Sequence, residues 1–341
     1  MKRPWPRKAL DDRLVMSLTN DALAYGRSVN GRLVRCGVEA RGADSAMAFA
    51  RRVRLLGLRA SQVTAVLPLH ECQLLQIDAP SVPHDELKAA ARWTIKDMVD
   101  THLDDLTLDV MVVGDGGGQG QRQLFVAAAQ TRAIREISDW SQAAGLQLSV
   151  IDIRETAQRN LQSALQQRLD RPDSASAALM LQGEQCLLTI CAHGELFYAR
   201  RLGWDPAALA GNRDNVDSNS PDAAGDQAPQ WAMLESGDRG AGPGHGAPGE
   251  DAPRLVIELQ RSLDLWERSW PDLPLTRVLI QVGEHSQALA ELLHTWIGLP
   301  TEVLQPEQLF AGLDQLASTP AARAAVIPLL GALLRTESRQ L

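Results

Sequence analysis

Aromatic residues, cysteines and long apolar runs are scarce in this sequence. Aromatics make up 4% of its 341 residues, and there are only four cysteines. The cysteines show no metal-type pairing, so we expect buried thiols and neither a zinc site nor a disulfide framework. The most apolar stretch, residues 324–334, is too short for a membrane helix and contains Pro328. These absences argue against a spanning protein and predict a cytoplasmic one.

Excess positive charge and the common enzyme motifs are also lacking. The net charge is −8 and the pI is about 5.4, which disfavours sequence-independent binding of nucleic acid. Neither a Walker-type phosphate loop nor a Gly-x-Ser-x-Gly elbow occurs. The glycine cluster at 114–120 lies between two predicted strands and is therefore interpreted as a hairpin turn. The sequence predicts no catalytic residue and no metal site.

Two similar strand patterns each open one half of the chain. The first covers residues 13–39 and contains Asn30-Gly31, a pair that favours a two-residue hairpin turn. The second covers 178–200, with turns near Gly183 and at His193-Gly194. Such a repeat predicts a duplicated two-lobe fold.

The remaining patterns define the predicted domains. The first lobe is 1–175, with an inserted α+β module at about 70–147, and the C-terminal helix 320–341 completes it. The second lobe is 176–319. Within it, residues 205–253 are rich in Gly, Pro and Asp and poor in aliphatic side chains, which predicts a disordered loop.

Seven motifs are spread over nearly the whole length of the chain. They are PSVPHDELKAAARW at 80–93, LTLDV at 106–110, VAAA at 126–129, AGLQLSVIDI at 144–153, GELFYARRL at 194–202, ELQRSLDL at 258–265 and LGALLR at 330–335. Through these motifs the chain resembles the PilM family of type IV pilus assembly proteins. It is most similar to the MshI branch, which serves biogenesis of the MSHA-type (agglutinin) pilus.

The resemblance implies a mixed α/β, actin-like (ribonuclease H-like) two-lobe ATPase fold with an inserted module, as in PilM and FtsA. In that family the two hairpin turns hold nucleotide phosphates and carry Asp-x-Gly, and a late strand ends in Gly-Gly. The positions that correspond to this nucleotide site here are Ser17, Thr19, Asn20, Gln182, Gly183, Gly283 and Glu284.

The site departs from the family pattern at all three places. Ser17 and Gln182 replace carboxylates that would place Mg²⁺, although Asp21 lies next to the first turn. Glu284 replaces a glycine, and one like charge at about 4 Å from a phosphate costs about 4 kcal/mol at an effective dielectric constant of 20. We therefore expect a degenerate site and no ATPase activity. No cofactor is expected, and ATP with Mg²⁺ would bind only if the site is still competent.

The resemblance also implies a partner, a PilN-like inner-membrane protein whose cytoplasmic segment binds near the inserted module. Trp93, flanked by Arg92 and Lys96, is the candidate contact; the alternative is a core aromatic residue flanked by solvated charges. Membrane association at the inner face of the inner membrane would be indirect, because an acidic surface is repelled by anionic lipids.

Two other functions remain open at the level of sequence. An active actin-like ATPase or kinase would need the missing acidic residues. An FtsA-like polymer-forming protein would share the module, but FtsA-like proteins end in an amphipathic membrane helix, and residues 336–341 have no apolar face.

Overall fold

The computed structural model describes residues 11–114, 122–168, 174–209 and 253–336. Within them are two five-stranded sheets and one three-stranded sheet. The strands are β1 Asp12–Leu18, β2 Ala22–Val29, β3 Arg32–Ala40, β4 Gln62–Val66, β5 Cys72–Asp78, β6 Leu106–Val112, β7 Gln123–Gln130, β8 Leu148–Asp152, β9 Ala175–Gln182, β10 Gln185–Ala192, β11 Glu195–Gly203, β12 Leu275–Gln281 and β13 Thr301–Val303.

The two large sheets have the same topology. The first sheet has the order β3-β2-β1-β4-β8, and the second has the order β11-β10-β9-β12-β13. In each, three antiparallel strands are followed by two parallel ones. The duplication predicted from the two hairpins is thus confirmed.

The hairpin turns explain part of this regularity. Asn30 and Gly31 both have positive φ, at 51° and 76°, and so do His193 and Gly194, at 53° and 81°. Type I′ turns require positive φ at both central positions, and their twist matches that of the flanking strands.

Nine helices accompany the sheets in the described residues. They are α1 Ala46–Arg54, α2 Leu87–Thr94, α3 Thr131–Ala143, α4 Arg154–Arg168, α5 Pro206–Leu209, α6 Arg254–Ser269, α7 Ser286–Ile297, α8 Leu313–Leu316 and α9 Pro320–Leu330. Helices α1 and α3 pack together beside the first sheet, where the rings of Phe49 and Trp140 are 5.6 Å apart. The second sheet shares its core with α6 and α7.

Helices α4 and α9 lie between the two large sheets. Their apolar side chains share one core with residues of β1 and β9, among them Leu161, Met180 and Leu330. The approach is close after α9: a Cβ at Gly331 would lie 1.7 Å from the carbonyl oxygen of Ala157. Only glycine therefore fits at that position.

The module sheet, β5-β7-β6, packs against α2 on one face and against the second sheet on the other. The N–H of Gly114 donates to the carbonyl oxygen of Leu196 at 2.9 Å. Phe125 of β7 packs with Cys191 and Leu196. The module is thereby attached to the second sheet as well as to its own lobe.

The structure differs from the sequence prediction in several places. Strand β9 begins at Ala175, one residue before the predicted start of the second lobe, and α8 was not predicted. Helix α5 occupies the start of the predicted disordered loop, and positions 210–252 of that loop lie outside the described residues. So do positions 115–120 of the glycine cluster and residues 337–341. No helix of the described part is long and apolar enough to cross a membrane.

Candidate functional site

The carboxyl ends of the parallel strands lie beside the amino-terminal end of α4. Strands β1, β4 and β8 run parallel, and α4 follows β8 directly. Helix α4 then contacts β9, β10 and β11 of the second sheet. Ligands of open α/β sheets bind outside the carboxyl ends of the strands. We therefore expect the predicted site residues of both hairpins to lie around the start of α4.

The first hairpin turn is closed by its own threonine. The backbone N–H of Thr19 donates to the carbonyl oxygen of Ala22 at 2.9 Å, and its Oγ1 accepts from the N–H of Ala22 at 3.1 Å. Asn20 is exposed, and its carbonyl oxygen accepts a hydrogen bond from Arg41 at 3.2 Å. Asp21 is exposed within the same turn.

Ser17 meets a cation where the family pattern has an acidic residue. The Ser17 side chain is buried, and its Oγ accepts a hydrogen bond from Nη2 of Arg154 at 2.7 Å. Nε of Arg154 donates to the carbonyl oxygen of Leu67 at 3.3 Å. Burial lowers the pKa of Arg154 to about 10, and nearby Glu155 opposes that shift. A guanidinium at this place repels a divalent cation.

Glu155 and Arg201 connect three parts of the molecule. The buried Glu155 carboxylate accepts from Nη2 of Arg201 at 3.4 Å. The same nitrogen donates to the carbonyl oxygen of Cys72, the first residue of the module sheet, at 2.5 Å. Burial raises the pKa of Glu155, and Arg201 counteracts this. The pair joins α4, β11 and the root of the module.

Gln182 is turned toward α4. Its Nε2 donates to Oε1 of Gln158 at 3.2 Å, and its own Oε1 is buried without a partner among the described residues. Gly183 follows with a φ of +75°, and nothing lies within 4 Å of a Cβ built there. The second turn therefore has free space around Gly183, while the side-chain amide of Gln182 is hydrogen-bonded to α4.

A row of glutamines fastens α4 to the second sheet. They occur at four-residue spacing, which places them on one face of the helix. The Nε2 atoms of Gln158, Gln162 and Gln166 donate to the carbonyl oxygens of Ala178 (3.0 Å), Ser176 (2.7 Å) and Ser174 (2.8 Å). Oε1 of Gln162 also accepts from the hydroxyl of Thr189 at 2.8 Å. Buried amides in such a network restrict the relative position of helix and sheet.

The third predicted position, after β12, is exposed to solvent. Gly283 has a φ of +69°, and the Glu284 side chain is 82% exposed. A charge so exposed acts through water, where repulsion of a phosphate at about 4 Å costs about 1 kcal/mol. The exposure of Glu284 thus favours the smaller cost over the about 4 kcal/mol expected from the sequence.

The candidate partner residues lie on the outer side of the module. Trp93 is 70% exposed, so the alternative of a core aromatic residue is wrong. Arg92 is neither free nor simply solvated: it donates to the carbonyl oxygen of Leu103 at 2.5 Å and to Asp104 at 3.1 Å. Lys96 is exposed in the turn after α2. The structure thus leaves Trp93 and Lys96 available and assigns Arg92 to the module itself.

Sequence reasoning missed Arg154, Glu155 and Arg201. The available signal was a charged pair directly after a predicted strand, where α4 begins. This charged pair was missed because α4 has no apolar stripe that would show which face is buried. Ten of its fifteen residues are buried, and several of these are polar. Arg201 could not be found in this way, since its partners are distant in sequence.

Comparison with known proteins supports the fold. No family model matches the chain, and no curated protein matches it. One chain of the solved PilM-PilN type IV pilus biogenesis complex is similar, with a TM-score of 0.65, 20% identity, and coverage of 95% of this chain and 99% of that one. The cytoplasmic domain of EpsL, an inner membrane component of the type II secretion system of Vibrio cholerae, scores 0.41, with 13% identity and coverage of 61% and 78%.

A Bacteroides thetaiotaomicron protein with an actin-like ATPase fold scores 0.43, with 7% identity and coverage of 90% and 95%. TM-scores below 0.5 carry no argument. The assignment of the fold therefore depends on the chain of the PilM-PilN complex and on the duplicated strand order. The protein has a mixed α/β, actin-like two-lobe fold, as the sequence predicted.

Proposed function

We propose that this protein is a PilM-like scaffold of a type IV pilus assembly platform, of the MSHA type and the MshI branch. It binds the cytoplasmic segment of a PilN-like inner-membrane protein and is held at the inner face of the membrane by that partner. It does not hydrolyse ATP. The observation that carries this proposal is the similarity of fold, over 95% of the chain, to a chain of the PilM-PilN complex.

The contacts around Ser17 support the absence of ATPase activity. An actin-like enzyme needs acidic groups to place Mg²⁺ beside the phosphates. Here Ser17 is buried against Arg154, and Gln182 is bonded to Gln158. Neither residue supplies a negative charge, and Arg154 supplies a positive one.

The exposure of Trp93 supports a partner surface on the module. A tryptophan that is 70% exposed buries a large apolar area only when a partner covers it. Lys96 lies one turn further along and is exposed as well. This pair suits a peptide segment with an apolar side chain and an acidic one.

The test is binding of a fluorescein-labelled peptide, the cytoplasmic segment of a PilN-like protein from the same organism. Anisotropy should show binding by the native chain and at least a tenfold loss in Trp93→Ala, since aromatic anchors in interfaces are worth about 2 kcal/mol or more. Met47→Ala, at a residue 50% exposed outside the module, is the matched control and should bind normally. Normal binding by a folded Trp93→Ala would exclude this surface.

An active ATPase and an FtsA-like polymer are distinguished by other measurements. Mg²⁺-dependent release of phosphate that is lost when Ser17 or Gln182 is changed would favour the ATPase. Filaments seen by electron microscopy, with light scattering that rises above a critical concentration, would favour the polymer.

A further inference from the structure

One edge of the first sheet, opposite the candidate site, contains the amino ends of β1, β3 and β4 and the carboxyl end of β2. Asp12 at the start of β1 pairs with Val29, and Val29 pairs with Arg32 at the start of β3. Arg13 pairs with Gln62 at the start of β4. Helix α1 connects the far end of β3 to β4, so its carboxyl end returns to this same edge.

Four arginines at this edge are exposed and free. Arg32 begins β3, Arg51 and Arg54 lie in the last turn of α1, and Arg59 lies between α1 and β4. Among the residues that the structure describes, none of the four makes an ion pair or a side-chain hydrogen bond. Leu55, next to Arg54, is 87% exposed. We call Arg32, Arg51, Arg54, Leu55 and Arg59 the basic edge.

Arginine is concentrated in the stretch of sequence that contributes to this edge, although Arg41 and Arg52 of that stretch bond near the far end of β3. The chain carries a net charge of −8, yet residues 27–60 contain eight arginines and only two acidic residues. The acidic residues nearest the start of β1 are neutralised: Asp11 pairs with Arg13, and Asp12 with Arg27. The sequence that precedes Asp11, MKRPWPRKAL, has four basic residues, one Trp and no acidic residue.

The helix dipole explains only part of this pattern. Cations are favoured in the last turn of a helix, which accounts for Arg51 and Arg54. It does not account for Arg32 or Arg59, which lie outside the helix. Nor does it explain a leucine left 87% exposed among them.

We propose that the basic edge binds an anionic lipid surface directly. Arginines near an anionic membrane gain electrostatic energy, and an exposed leucine between them enters the headgroup region. The edge is formed by a helix end, a strand start and a loop. The expectation that membrane contact is only indirect was based on the net charge of the chain. The net charge is a sum over all residues and does not report a local basic surface such as this one. This surface is independent of Trp93 and of the pilus role.

Vesicle cosedimentation with the full chain tests the proposal. We expect binding to vesicles of equal parts phosphatidylcholine and phosphatidylglycerol, and none to phosphatidylcholine alone. Binding should weaken steeply above about 0.1 M salt, because the Debye length there is about 10 Å. The triple variant Arg51→Gln/Arg54→Gln/Arg59→Gln should bind roughly a hundredfold more weakly, at about fivefold per arginine.

Two further variants make the result decisive. The control Arg122→Gln/Arg261→Gln/Arg268→Gln removes the same charge from exposed positions elsewhere and should bind as the native chain does. Leu55→Ser should lose about tenfold without a change in melting temperature, because the residue has almost no packing to lose. Absent binding to the anionic vesicles, or equal losses in both triple variants, would overturn the proposal.

Discussion

At the scale of single residues, Arg154 decides the chemistry of the candidate site. Its guanidinium bonds to Ser17, the residue for which the sequence predicts the loss of a magnesium-binding carboxylate. Restoring the acidic residue alone should therefore not restore the site. The arginine would neutralise a carboxylate placed beside it.

This gives a direct prediction. Ser17→Asp should show no Mg²⁺-dependent stabilisation by ATP, whereas Ser17→Asp/Arg154→Ala should show some, because the new carboxylate is then free to attract the cation. Melting curves with Mg-ATP and with ATP plus EDTA measure the difference. In the control double variant, Arg154→Ala is replaced by Arg323→Ala, which removes an arginine that is paired with Glu307 and does not bond to Ser17. A Mg²⁺ response in Ser17→Asp alone would show that Arg154 is not the obstacle.

A second residue-scale prediction concerns Glu155. Burial raises its pKa, so the folded state holds the proton more tightly than the unfolded chain does. The native protein therefore loses stability as the pH rises from about 4.3, the ordinary value for Glu, through the raised value. The Glu155→Gln variant has no carboxyl group at this position and therefore does not lose stability in this way. Its melting temperature, relative to that of the native protein, should rise between pH 4 and pH 7. If the difference between the two melting temperatures does not change with pH, the pKa of Glu155 is not raised.

At the scale of elements, α4 is the part that sequence reasoning described least well. The sequence predicts a helix from Glu155 to about Leu169, and α4 spans Arg154–Arg168, but the sequence does not predict its role. An amphipathic helix shows its buried face as an apolar stripe, as α6 does at Leu255, Leu259 and Leu263. Helix α4 is buried on most of its faces and contacts the second sheet through glutamines. The helical repeat of apolar residues therefore does not reveal its buried face.

The hairpins were easier, for a physical reason. Asn30-Gly31 and His193-Gly194 fix their turns locally, so the strands on either side follow from residues close in sequence. Arg201 and Cys72 meet only because three elements fold together. Contacts of that kind, which define most of the candidate site, leave no local pattern to detect.

The glutamine row gives a prediction at this scale. Gln162→Leu removes a buried amide, so that the Ser176 hydroxyl loses its donor and the Thr189 hydroxyl loses its acceptor, although Thr189 still accepts from Gln158. This change should cost about 1–3 kcal/mol. Gln167→Leu makes the same substitution at an exposed position of the same helix and should change stability by less than about 0.5 kcal/mol. Urea unfolding compares the two. Equal effects would mean that the row does not fasten α4 to the sheet.

At the scale of the whole molecule, two lobes are fastened together around α4. The glutamine row, the pair of Glu155 with Arg201, and the contact between module and second sheet all restrict movement of the lobes. Closure of two lobes around a ligand requires that the lobes can move relative to each other. A molecule fastened in this way is better suited to present fixed surfaces, one at Trp93 and one at the basic edge.

The proposed scaffold role, as distinct from that of an ATPase, requires the lack of a working Mg-nucleotide site in this actin-like fold. Thermal unfolding of the native chain with millimolar Mg-ATP, Mg-ADP, or nucleotide plus EDTA tests this lack directly. A ligand at about 100 times its Kd stabilises a fold by about 2.7 kcal/mol, which shifts the melting temperature by several degrees. We predict no Mg²⁺-dependent shift with either nucleotide. A clear shift that EDTA abolishes would contradict the scaffold role and make the protein a nucleotide-switched factor or an enzyme.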